Sequence, residues 1–138
     1  MKHPEVTEKV IAVFYAVYNE LGNGFLESVY QKSMHIALSE AGLQVQREVA
    51  VPVIFHGQNV GDYKADLLVN DTVIVELKTV RTLEASHEAQ LFHYLRATAI
   101  EVGLLLNFGP KPQFKRVAFD NERKNSIQSS RASSAGIA

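Results

Sequence analysis

Residues 64–78, KADLLVNDTVIVELK, carry two carboxylates and two ammonium groups at spacings that could do chemistry. Two alternating segments, 64–69 and 73–78, flank Asn70-Asp71-Thr72, and polar residues of this kind between β-branched runs predict a hairpin. The odd positions Ala65, Leu67, Val69, Val73, Val75 and Leu77 are all apolar, so both strands should turn that set toward one core. A three-residue loop pairs Val69 with Val73 and thereby sets Asp66 opposite Glu76 and Lys64 opposite Lys78. Carboxylates on neighbouring strands, with Cβ atoms about 5 Å apart, can share one hard divalent cation. Lys78 points the same way and could orient an attacking water or stabilise charge growing on a phosphate, which is the equipment of metal-assisted phosphodiester hydrolysis. Read alone, the same pattern also describes a solvent-facing ionic ladder on an amphipathic hairpin.

The surrounding elements decide how such a face would be presented. Pro4 and Glu5 suit a first helical turn, and Val6, Val10, Val13, Val17 and Leu21 recur at helical spacing until Gly22-Asn23-Gly24. A second helix is expected over about 25–41, with Leu26, Val29, Ile36 and Ala37 as its apolar set and Glu27, Tyr30 and Met34 on one stripe. Residues 44–55 alternate as a strand that Pro52 marks as an edge. Turn chemistry at 56–59 then leads through a strand beginning near Val60 into the hairpin, giving three consecutive antiparallel strands. A third helix should follow from about 84 to Ile100, with His87, Gln90 and Tyr94 on one stripe and no role assigned to His87. Val102 to Leu106 is a continuous apolar run that suits a strand buried on both faces, paired in parallel with the Glu76 strand through a right-handed crossover. Residues 114–119 can add a last edge strand.

An apolar share of 46% with 21% charge fits one globular domain, expected over 1–119, followed by a polar, flexible tail over 120–138. The absence of cysteine excludes disulfides, thiolate metal sites and cysteine nucleophiles. No run has signal-peptide or transmembrane character, so a cytoplasmic protein without membrane contact is expected. Net charge is −1, yet from Lys111 onward six basic residues face two acidic ones, a net of +4 that leaves −5 on the first 110 residues.

The predicted order, helix, three antiparallel strands, helix, strand, resembles the core of the PD-(D/E)XK nuclease superfamily. Asp66 stands for the motif's Asp and Glu76-Leu77-Lys78 for its E-x-K. Gln90-Leu91-Phe92-His93-Tyr94 resembles the Q-x-x-x-Y helix motif of the RecB-like branch, and Gly24-Phe25-Leu26-Glu27-Ser28-Val29-Tyr30 matches the signature of the GxxExxY family. The run from Gly103 to Gly109 is also typical of that family, so the resemblance covers roughly residues 5–119. Ala65 departs from the pattern by standing where the superfamily's name has Pro.

The resemblance implies an α/β, restriction-endonuclease-like core with a mixed central sheet. It implies Mg²⁺ or Mn²⁺ held by Asp66 and Glu76 with Glu27 as a further ligand, and Lys78 serving the attacking water. Gln90 and Tyr94, with Tyr30 and Lys64 nearby, would contact substrate or support the catalytic groups. The expected function is metal-dependent hydrolysis of phosphodiester bonds in DNA, and a homodimer could enlarge the DNA-contacting surface. The alternative is a nuclease-like domain that binds nucleic acid or a protein partner without cutting.

Overall fold

The computed structural model describes residues 2–124. In chain order the elements are α1 (Pro4–Leu21), α2 (Glu27–Glu40), β1 (Val45–Phe55), β2 (Gln58–Val69), β3 (Val73–Lys78), α3 (Ala85–Ala97), β4 (Val102–Phe108) and β5 (Pro112–Ala118). The strands form one sheet in the order β1-β2-β3-β4-β5. Only the β3–β4 pair is parallel, and α3 makes the crossover between them. This is the mixed α/β architecture that the sequence pattern predicts. No helix among the described residues is long and apolar enough to cross a membrane.

Two apolar layers sandwich the sheet. Helix α1 contributes Val6, Val10, Phe14 and Val17, and α2 contributes Tyr30, Met34 and Leu38, to a layer completed by Leu67, Val69, Val75, Leu77 and alternate β4 residues. The opposite layer joins Leu91 and Leu95 of α3 to Val51, Ala65, Ile74, Leu105 and Phe119. Every residue of β4 is buried, as its unbroken apolar run requires of a strand covered on both sides. Gly103 of β4 lets α3 approach closely, since a Cβ there would lie 2.7 Å from Leu91 Cδ1.

Three sequence expectations need correction here. Leu26 and Ile36 were assigned to the apolar face of the second helix, but they are 76% and 60% exposed. The helix is rotated so that its bulkiest side chain, Tyr30, fills the core, stacked on Phe108 with ring centroids 4.2 Å apart. Ala65, expected to share a face with Leu67, is buried in the opposite layer, so β2 changes face at Asp66. The third correction concerns residues 120–124, expected to begin a flexible tail. Residues 121–124 form a helical turn, and the buried Lys124 donates from Nζ to the carbonyls of Thr98 (2.9 Å) and Ile100 (2.6 Å) just past α3. That ammonium satisfies carbonyls that the end of α3 leaves open. The rest of the expected tail, 125–138, lies outside the described residues.

The segment after β3 is fixed by a two-way amide contact. Asn107 accepts from Val80 N–H at Oδ1 (3.0 Å) and donates from Nδ2 to Val80 C=O (2.8 Å). Gly109 makes room for that carbonyl, because a Cβ at Gly109 would lie 2.0 Å from Val80 O. Gly109→Ala should therefore displace the segment and destabilise the protein by about 1–3 kcal/mol. A lowered urea midpoint at unchanged slope would report this, and an unchanged midpoint would contradict it.

Candidate active site

The site forms where β2 and β3 part. The hairpin ladder runs through Val69↔Val73, Leu68↔Ile74 and Leu67↔Val75 and then stops, whereas β3 stays paired with β4 as far as Lys78↔Asn107. Asp66 has no ladder partner on β1 either, and Glu48, the residue across from it, takes a positive φ of 53°. Side chains replace the missing backbone acceptors. Asp66 N–H donates to Glu76 Oε2 and Leu77 N–H donates to Asp66 Oδ2, both at 2.8 Å. These bonds satisfy the backbone donors that the parted strands leave without ladder partners, and they fix the positions of both carboxyl groups.

The expected opposition of Asp66 and Glu76 thus occurs through side chains, each carboxyl accepting from a backbone N–H of the other's strand. Lys64, expected opposite Lys78, instead pairs with Ala50 of β1 and is exposed, because β2 has left β3 before reaching it. Tyr30, expected to contact substrate or support the catalytic groups, faces the core. Its ring is fully buried, and its hydroxyl donates to Gly22 C=O and accepts from Phe25 N–H, which ties the α1–α2 connection to the core.

Around the carboxylates, α2 and α3 each contribute amides. Gln31 Nε2 donates to Asp66 Oδ1 (3.3 Å) from α2. On the α3 side Lys78 Nζ donates to Gln90 Oε1 (3.4 Å), and Gln90 Nε2 donates to Tyr94 Oη (3.2 Å). Gln90 therefore orients the Lys78 ammonium and is itself oriented by Tyr94, as the helical stripe suggests. Gln31 was not anticipated. The available signal was its position one turn after Glu27 and between the core residues Tyr30 and Met34, which aims it inward. His87 serves α3 itself, since its Nδ1 accepts from Glu84 N–H (2.9 Å) in a reciprocal capping box.

Electrostatics mark Glu76 as the most constrained group. It is 4% exposed, and burial, followed by the negative charge of Asp66, pushes its carboxyl up to about 9, with Lys78 opposing. Burial is also the first cause raising Glu27, where Lys78 opposes and Asp66 adds to the rise. Glu27 opens α2 as an exposed residue near enough to feel both charges, but it makes no hydrogen bond to them. Burial raises Tyr94 as well, aided by the charge of Glu76. Among the described residues no three acidic or histidine side chains are gathered closely enough to enclose an ion by themselves.

A family model described as the PD-(D/E)XK nuclease superfamily matches residues 4–117. The chain belongs to that superfamily. Its restriction-endonuclease-like core has neighbours among solved structures. SSO0001 matches with a TM-score of 0.46 at 16% identity, over 75% of this chain and 58% of its own. An alkaline exonuclease, LHK-Exo from Laribacter hongkongensis, matches with a TM-score of 0.42 at 12% identity, over 100% of this chain and 89% of its own. This chain thus spans 58% of the length of SSO0001. No curated protein matches it.

The raised Glu76 carboxyl has a thermodynamic consequence of definite sign. In metal-free protein the folded carboxyl keeps its proton to about pH 9, while the unfolded one loses it near 4.5. The native state binds the extra proton across that window, so the contribution of Glu76 to stability is full below pH 4.5 and is lost as pH rises toward 9. Glu76→Gln should remove this loss. In the presence of chelator, the variant should melt higher than the native protein at pH 8 by roughly 4 °C or more, equivalent to about 1 kcal/mol, with the two curves converging near pH 4. A variant that melts lower at pH 8 would contradict the assignment.

Proposed function

We propose that this superfamily member is a metal-dependent nuclease that hydrolyses phosphodiester bonds in DNA, with Asp66 and Glu76 holding Mg²⁺ or Mn²⁺ and Lys78 serving the attacking water. The observation that carries the reading is a pair of carboxyl groups held by backbone N–H donors at the parting of β2 and β3, with an ammonium on β3 bonded to Gln90. The donor set fits such an ion. It offers hard oxygen atoms, and the mutual repulsion that now keeps a proton on Glu76 is what a divalent cation would relieve. When bound, the ion supplies Lewis-acid stabilisation of charge on the phosphate.

The chain's own residues do the rest. Lys78 donates to the water or to the phosphate oxygens, Gln90 and Tyr94 hold its ammonium in place, and Gln31 fixes the rotamer of Asp66. Glu27 is proposed as a further ligand, supported by the coupling of its carboxyl to Asp66 and Lys78 across the site. The G-x-x-E-x-x-Y run around Glu27 and Tyr30 supports placement in the GxxExxY branch. Its Tyr30 would then act structurally, by packing on Phe108 and positioning the start of α2. A non-hydrolytic reading draws on one observation, the lack, among the described residues, of a third clustered acid or histidine beside the pair.

A thermal melt with and without each ion, paired with a cleavage assay, separates these readings. At a concentration a hundred times its Kd, Mn²⁺ or Mg²⁺ should add about 2.7 kcal/mol to the stability of the native protein. Asp66→Asn and Glu76→Gln should each largely abolish that gain. Lys78→Ala should retain it while lowering cleavage by about 100-fold or more. Equal metal response in the native protein and both carboxylate variants would reject the ion site. A normal response without cleavage of any single-stranded, duplex or branched substrate would favour the non-hydrolytic reading.

A further inference from the structure

On the Gln90–Tyr94 side of the site lies a cleft of about 860 Å³, walled on one side by the β1–β2 hairpin and on the other by α3. Its two walls differ in chemistry. The hairpin wall is apolar, with Val51, Val53 and Ile54, and it presents Tyr63, which is 52% exposed. The α3 wall carries Gln90, His93 and Arg96 at a spacing of three, flanked by the small residues Ser86, Ala89 and Ala97. Among the described residues no carboxylate lines it, although the chain as a whole is net negative. Arg96 is exposed and makes no hydrogen bond or ion pair to another described residue, whereas Lys124 at the margin is already committed to the carbonyls of Thr98 and Ile100. The cleft adjoins the candidate active site through Gln90 and Tyr94, which line it, since Gln90 accepts from Lys78.

We propose that this cleft receives one unpaired nucleic-acid strand and leads it to the Asp66–Glu76 pair, so that single strands or frayed ends are the substrate. The proposal rests on the nuclease reading for the direction of travel, but the groove's ligand follows from its own two walls. Unpaired bases expose π faces that can lie on Tyr63, whose ring centroid is 6.1 Å from that of Tyr94, and against the aliphatic hairpin. The sugar-phosphate backbone then faces Arg96, His93 and the Gln90 amide. In a duplex the same π faces are stacked inside, and a cleft of this volume, within the roughly 300–1,000 Å³ that encloses a small ligand, admits only a short run of nucleotides.

Fluorescence anisotropy in chelator, with labelled oligo(dT), oligo(U) and a blunt duplex of equal length, tests the groove apart from the chemistry. The native protein should bind at least one of the two single strands tenfold or more tighter than the duplex, and comparing them identifies the preferred sugar. Tyr63→Ala should weaken that binding at least fivefold and Arg96→Glu at least tenfold. Arg96→Lys should restore most of the loss, and all three variants should keep the native melting temperature. Equal affinity for single strand and duplex, or single-strand binding unchanged in Tyr63→Ala and Arg96→Glu, overturns the proposal. Cleavage with Mn²⁺ discriminates the two levels. Cleavage that ignores the groove variants and favours duplex sinks the groove and spares the nuclease reading. Tight, groove-dependent single-strand binding without cleavage sinks the nuclease reading and spares the groove.

Discussion

Asp66 N–H and Leu77 N–H point at places where an ordinary antiparallel pair would offer carbonyls, and they find carboxylates. Much of the molecule depends on that substitution. A buried backbone donor without an acceptor costs about 1–3 kcal/mol, so the strands can separate only because Glu76 and Asp66 step in. The same bonds keep both carboxyl groups from swinging away to solvent, so their repulsion is relieved by the proton on Glu76 instead. Structural need and chemical opportunity therefore coincide in one pair of side chains. Truncating either side chain would act on the site and on the strand geometry together.

The helices act on that pair from opposite faces. Helix α2 brings Gln31 to Asp66 from the layer that contains Tyr30 and Met34. Helix α3 brings Gln90 and Tyr94 toward Lys78 and Glu76 from the other layer. Between them β3 runs through the centre of the sheet, and its parallel partner β4 supplies Asn107, which pins the chain just past Lys78. The ammonium is thus attached to a strand that cannot shift without breaking an amide contact at its end. This arrangement sets polar groups on rigid elements and leaves the approach to them on the β1–β2 hairpin side.

Much of this was legible in the residues. Period-two alternation across 64–78 gave the loop length and the Val69–Val73 pairing, and the unbroken run at 102–106 identified a strand covered on both faces. The stripe of Gln90 and Tyr94 likewise found its place beside Lys78. Alternation extends only as far as the ladder does, however. Past Leu67 the hairpin is no longer paired, so Ala65 turned to the other layer and Lys64 came to face β1. Tyr30 shows a different limit: a tyrosine at a motif position looks the same in sequence whether its hydroxyl meets substrate or, as here, the turn before its own helix. Leu26 and Ile36 lost the core to larger neighbours, a competition that periodicity alone does not resolve. The capture of Lys124 by the end of α3 involves carbonyls 24 and 26 residues away and leaves no local trace.

The outer margin of the sheet carries a consequence of its own. Strand β1 is an edge strand, and its tip displays Ile54 and Phe55 with Val60 on the facing strand, all more than half exposed. Such an edge would invite strand-to-strand aggregation if it were straight and fully equipped with donors. Pro52 removes one N–H from it, the register slips between Val53 and Ile54, and Glu48 breaks the extended conformation with its positive φ. The irregularities near the splayed strands thus also interrupt the template that a foreign strand would need. An apolar hairpin can stay exposed at the mouth of a cleft because its backbone is a poor partner for another sheet.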